Sequence, residues 1–144
     1  MTDLSLPVGA ERLVPHRRPM RMVDLLVAFH PGYGVAEAVV SPENPLAAPD
    51  GALEPEALIE LMAQGYAALK GYDDLLHHRP VRRGFLVGIQ SLRVAGTARV
   101  GDRLRIVVET VKALEPFYVA AGEVTKDRVG IASATLKLWT PTDG

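Results

Sequence analysis

The chain has 144 residues, a formal net charge of −1, 48% hydrophobic and 23% charged residues, the make-up of one soluble globular domain (1–144) able to bury a core. The near-neutral balance gives no electrostatic case for nucleic acid or a membrane surface, and no apolar run approaches the roughly 20 residues of a membrane span. Cysteine is absent, which excludes disulfides, thiol catalysis and zinc–thiolate sites; with an N-terminus lacking the basic start and apolar core of a signal peptide, this gives a cytoplasmic reading.

Residues 1–14 read as a short helix or extended arm, with Leu6, Val8 and Leu13 available for packing. Pro15 and Pro19 hold the segment Pro15-His16-Arg17-Arg18-Pro19-Met20 extended, because each also restricts its predecessor. Residues 21–29 and 35–40 read as strands joined by the turn His30-Pro31-Gly32-Tyr33-Gly34, a hairpin. Residues 41–53 are loop, rich in Pro, Asn and Asp.

Residues 54–71 read as a helix. Pro55 suits the first turn, Glu54 and Glu56 complement the positive end of the dipole, and Gly71 is a natural stop. Leu58, Leu61, Met62 and Leu69 form one stripe, while Ala57, Ile59, Ala63, Ala67 and Ala68 cover most of the rest. A helix apolar nearly all round is a buried one, and Glu60 in its middle then needs a reason. Residues 72–83 read as loop, and the remainder as strands over 84–94, 103–114, 117–125 and 129–139. Two strands, one long helix and about four further strands imply an α+β fold in which a curved antiparallel sheet of about six strands wraps the helix. One helix face is left for a second copy of the chain.

Four stretches resemble the 3-hydroxyacyl-[acyl carrier protein] dehydratases of fatty-acid synthesis, which have the hotdog fold. They are Leu13-Val14-Pro15-His16-Arg17-Arg18-Pro19-Met20 with Val23-Asp24, the helix run Leu58-Ile59-Glu60-Leu61-Met62-Ala63-Gln64, Gly84-Phe85-Leu86-Val87-Gly88-Ile89, and Val100-Gly101-Asp102-Arg103-Leu104. Asp50-Gly51 and Val81-Arg82-Arg83-Gly84-Phe85-Leu86 look closer still to a divergent branch found in aryl-polyene pigment pathways. The resemblance implies dehydration of a 3-hydroxyacyl thioester on acyl carrier protein or coenzyme A, by a cytoplasmic dimer that uses no metal or other cofactor.

Two positions depart from that family. Its active-site His, in a Gly-His-Phe-Pro-Gly loop, would fall on Leu46, within Asn44-Pro45-Leu46-Ala47-Ala48. Its glycine whose amide binds the thioester carbonyl falls on Pro55, which has no N–H.

Dehydration needs a base for the C2 proton and an acid for the leaving hydroxyl. Glu60 is the catalytic candidate for the acid, since apolar surroundings favour the protonated form of a carboxyl group; the plain alternative is a capped structural carboxylate. His16 is the nominee for a replacement base, against a reading in which His16 and Arg17 only tie the arm to the sheet. Gln64, one turn beyond Glu60, either orients it or binds substrate, or is a satisfied core amide. The amide of Glu56, or another at the helix N-terminus, would polarise the carbonyl, and Pro15 and Phe85 are carried over as substrate-binding positions. Asp24 reads as a structural partner for Arg17 or Arg18. His77-His78 lack the spacing of a ligand set, so no metal site is expected. Arg79, Arg82 and Arg83 are either a solvated cluster or a docking point for the carrier.

Three functions share this fold: a dehydratase acting as a homodimer, a catalytically impaired acyl-thioester-binding subunit of a heterodimer, and a hotdog acyl thioesterase in which the helix carboxylate activates water or attacks the thioester.

Overall fold

The computed structural model describes residues 4–141. Seven strands and one helix follow the chain as β1 (Val8–Gly9), β2 (Leu25–His30), β3 (Tyr33–Val39), α1 (Pro55–Leu76), β4 (Phe85–Val94), β5 (Arg103–Leu114), β6 (Phe117–Lys126) and β7 (Val129–Trp139). All strand pairs are antiparallel, in the order β1-β2-β3-β5-β6-β7-β4. This is the hotdog architecture, one long helix held in a curved sheet.

Alternation fixes which face of the sheet meets the helix. In β5, Leu104, Ile106 and Val108 are fully buried while Arg103 and Arg105 face out. In β6 and β7, Tyr118, Ala120, Val124, Leu136 and Leu138 continue the inner face. Leu58, Leu61, Met62 and Leu69 of α1 pack into it, forming one core. The contact is close enough to require glycine in the helix. A Cβ on Gly65 would stand 2.8 Å from Ile106 Cγ2, and one on Gly71 would collide with the carbonyl oxygen of Leu13.

The helix starts at Pro55 as expected, but its expected C-terminal end needs correction. Gly71 does not stop the helix; it lies inside it, serving the N-terminal arm that crosses there. The helix runs on to Leu76, so Asp73 and Asp74 belong to its last turns, not to a loop. The arm is a two-residue strand followed by a short 3-10 turn at Ala10–Arg12. It starts β1, which brings the sheet to seven strands. Nor is α1 buried all round. Glu60, Ala63, Ala67 and Lys70 form a stripe that the chain only half covers.

β4 stands at the sheet edge and pairs only with β7 among the described residues. It exposes Phe85, Val87, Ile89, Leu92 and Val94, each 39–57% accessible. No helix of the described residues is long and apolar enough to cross a membrane.

Candidate functional site

The half-covered stripe of α1 forms the floor of a cavity of about 90 Å³. Glu60, Ala63, Ala67, Lys70 and Asp74 recur at spacings of three and four, so they lie along one helix face. His16 closes one end, and Arg82, Gly84, Leu86, Leu138 and Thr140 supply the opposite wall.

The segment before β2 delivers His16. Arg17 folds its guanidinium back on its own chain, where Nη1 donates to the carbonyls of Val14, Pro15 and His16 at 3.0, 3.3 and 3.0 Å. Arg18 Nη2 donates to Asp24 Oδ1 at 2.8 Å, and the other Asp24 oxygen accepts from the Val39 amide at 2.8 Å. Gln64 completes the clamp from the helix. Its Oε1 accepts from the amides of Met22 (2.7 Å) and Val23 (3.3 Å), and its Nε2 donates to the Met20 carbonyl (2.8 Å) and to Glu60 Oε1 (2.9 Å). Both N–H groups and both acceptor sites of the fully buried Gln64 amide are thus engaged within the chain.

The result is a carboxylate and an imidazole on one cavity wall. His16 Nε2 stands 3.7 Å from Glu60 Oε1, with the two side chains 33% and 35% accessible. That is too long for a hydrogen bond and short enough for both groups to reach one small substrate fragment. His16 Nδ1 is buried and meets no hydrogen-bond partner. Arg17, not His16, ties the segment down.

The other expected positions lie apart from this pair. Leu46 packs against the core, its amide bonded to Asn44 Oδ1 (2.9 Å) and its carbonyl accepting from the Glu54 amide (2.8 Å). It does not line the cavity. Glu56 and Pro15 are exposed and also lie outside the lining. Phe85 faces away, beside Trp139, while its neighbour Leu86 lines the wall.

Sequence reasoning missed the far end of the cavity. Lys70 Nζ lies over the Tyr118 ring, 4.3 Å from its centroid. Burial lowers the Lys70 ammonium from its ordinary value and pushes the Tyr118 phenol up to about 12. Asp74, nearly inaccessible, is held by Arg79 Nε at 3.1 Å and by Arg82 through its Nη2 and its amide, both at 3.1 Å. Arg82 is therefore a structural partner of Asp74 and not part of a solvated cluster. The signal was present as the helical stripe through Glu60, Ala63, Ala67, Lys70 and Asp74, but the misplaced stop at Gly71 cut it short. No cluster of three or more His, Asp or Glu side chains suited to a metal ion occurs among the described residues.

Comparison with known proteins places the chain in a family. Residues 8–144 match the model of the ApeP-like family, described as ApeP dehydratase. The chain is 30% identical over 132 residues to the 3-hydroxyacyl-[acyl-carrier-protein] dehydratase FabZ of Anaeromyxobacter sp. (strain K), covering 88% of this chain and 85% of that protein. It is 29% identical over 136 residues to FabZ of Latilactobacillus sakei subsp. sakei (strain 23K), covering 86% and 81%. Among solved structures, the dehydratase heterocomplex ApeI:P from Xenorhabdus doucetiae superposes with a TM-score of 0.87 at 21% identity, over 94% of this chain and 93% of that one. A hypothetical thioesterase with coenzyme A from Streptococcus pneumoniae TIGR4 gives a TM-score of 0.64 at 16% identity, over 82% and 85%, and shows the same fold. The chain belongs to the ApeP-like family: it is a hotdog-fold, 3-hydroxyacyl-[acyl-carrier-protein] dehydratase-like lyase.

Proposed function

We propose that the chain removes water from a 3-hydroxyacyl group carried as a thioester on acyl carrier protein, at the His16–Glu60 pair. The observation that carries this reading is the 3.7 Å approach of His16 Nε2 to Glu60 Oε1 on the wall of a cavity. The neutral imidazole takes the C2 proton on Nε2. The electron pair left at C2 forms the C2–C3 double bond as the C3–O bond breaks, and protonated Glu60 gives its proton to the departing hydroxyl, which leaves as water. Gln64 is the positioning residue: its amide holds Oε1 of Glu60 and fixes the segment bearing His16. The Glu56 amide remains the proposed partner of the thioester carbonyl. A coenzyme A thioester presents the same reacting carbons, and the chemistry needs no metal or redox cofactor.

A second reading is supported by the free edge of β4. Five large apolar side chains on a strand with one edge left open among the described residues form a surface that another sheet edge would cover. The superposition on a two-protein dehydratase complex favours a second hotdog chain there. With Leu46 in place of the family's usual His, that second chain supplies a base in the heterodimer form of the reaction, and this chain supplies Glu60 and the acyl cavity.

The experiment is turnover of a 3-hydroxyacyl-carrier thioester by the purified chain in cytoplasm-like buffer, scoring enoyl thioester and free carrier thiol separately. Enoyl product from the chain alone supports the His16–Glu60 pair. Enoyl product only with a partner hotdog chain supports the heterodimer. Free thiol without enoyl product overturns both in favour of a thioesterase.

A further inference from the structure

The ammonium at the far end of the cavity is not explained by dehydration. Glu60 and Lys70 are ten residues apart on one helix, on the order of 15 Å along its axis, and Ala63 and Ala67 leave a smooth floor between them. No hydrogen bond or ion pair holds Lys70 among the described residues. The Asp74 carboxylate, on the same wall, already accepts from Arg79 and Arg82 at both oxygens. The Tyr118 hydroxyl donates to Glu115 Oε1 at 2.9 Å, so only the face of that ring is offered to Lys70. The Tyr66 hydroxyl is paired with Thr110 at 2.8 Å. A half-buried ammonium on a cavity wall that meets only a ring face from its own chain lacks the hydrogen-bond acceptor that such a group needs. A chain with a plain methyl end would bury that unmet group further.

We propose that Lys70 is a specificity-determining residue, and that the cavity takes acyl chains of intermediate length whose far end carries an oxygen acceptor, a hydroxyl or a carboxylate. The inference rests on the dehydratase reading for the placement of C2 and C3 at Glu60. The positive charges of Arg79 and Arg82 are offset by Asp73 and Asp74. That leaves the Lys70 ammonium, which Asp73, Asp74 and Glu115 attract through space but do not hydrogen-bond, suited to a single acceptor group and poorly matched to a phosphate dianion. The burial that lowers Lys70 strengthens a charge-assisted hydrogen bond there.

The test uses two 3-hydroxyacyl-carrier thioesters of equal length, one ending in methyl and one in carboxylate, each with the wild type, Lys70→Met and Lys70→Arg, and reads the ratio of kcat/KM for the two substrates. The same two acyl groups as N-acetylcysteamine thioesters are titrated calorimetrically into each chain carrying Glu60→Gln as well, which reads the preference without turnover. The wild type is expected to favour the oxygen-ended chain roughly tenfold. Lys70→Met should collapse the ratio towards one, and Lys70→Arg should keep most of it. A wild-type ratio near one, or a Lys70→Met ratio equal to that of the wild type, overturns the proposal. Lys70→Met weakening both carrier substrates equally, with neither N-acetylcysteamine titration altered, assigns Lys70 to the carrier's phosphate instead. Loss of turnover with the calorimetric preference intact overturns the dehydratase reading while sustaining the subsite.

Discussion

The two faces of α1 obey different rules. The inner face, carrying Leu58, Leu61, Met62 and Leu69, is at most 2% accessible and meets the alternating interior of β5, β6 and β7. The outer stripe from Glu60 to Lys70 keeps a carboxylate and an ammonium, bridged by two alanines and half open. One face has packing complementarity and no chemistry; the other has chemistry and an unfilled space. The same helix is therefore a core element and the floor of the candidate site, and mutations on its two faces should separate stability from activity.

The largest separation is expected at Glu60. Glu60→Gln keeps the shape and the hydrogen bond from Gln64, so the melting curve should hardly move, while enoyl formation should fall by about 10²–10⁴-fold. A fall in stability comparable to that of a core variant would merge the two faces and break the comparison. On the inner face, Leu61→Ala removes a fully packed side chain and should cost about 2–5 kcal/mol in denaturant unfolding, with any surviving native fraction still active. Gln64 sits where the faces meet. Gln64→Leu strands the amides of Met22 and Val23 and should cost about 1–3 kcal/mol. It should also lower kcat more than KM is altered, because the His16 segment and Glu60 lose their common tie.

The smallest effect lies away from both faces, at the turn before β5. The Lys126 ammonium at 2.9 Å and the Arg99 amide at 2.8 Å hold the Asp102 carboxyl below its ordinary 3.8. A depressed carboxyl value stabilises the fold above the unfolded value and stops doing so as pH falls through the folded one. Asp102→Asn should therefore be less stable by under about 1 kcal/mol at neutral pH, and the deficit should vanish in acid. A deficit that grows in acid would contradict the assignment.

Strand alternation in residues 103–114 made β5 legible from the sequence to the residue, because an inner apolar and outer polar face leaves one register. Glu60 stood out for the same reason, as a charge in an apolar run. His16 could be nominated but not placed, since its approach to Glu60 depends on Gln64, 44 residues from Met20, reaching back to that segment. The continuation of the stripe beyond Lys70 to Asp74 was hidden by Gly71. Glycine reads as a helix stop from local propensity, yet here it is required by the crossing of Leu13, a contact between distant parts of the chain. Residues 84–94 read as a strand, and only the sheet order reveals that strand as an uncovered edge.

The most direct test of the account is a double-mutant cycle on the pair, measuring enoyl formation from one 3-hydroxyacyl-carrier thioester by the wild type, His16→Ala, Glu60→Gln and the double variant, with folding checked for each. Two groups that act as one acid–base unit should be strongly non-additive, with the double variant little worse than either single one. Wild-type rates in His16→Ala, beside a dead Glu60→Gln, would contradict it and place the base on another chain.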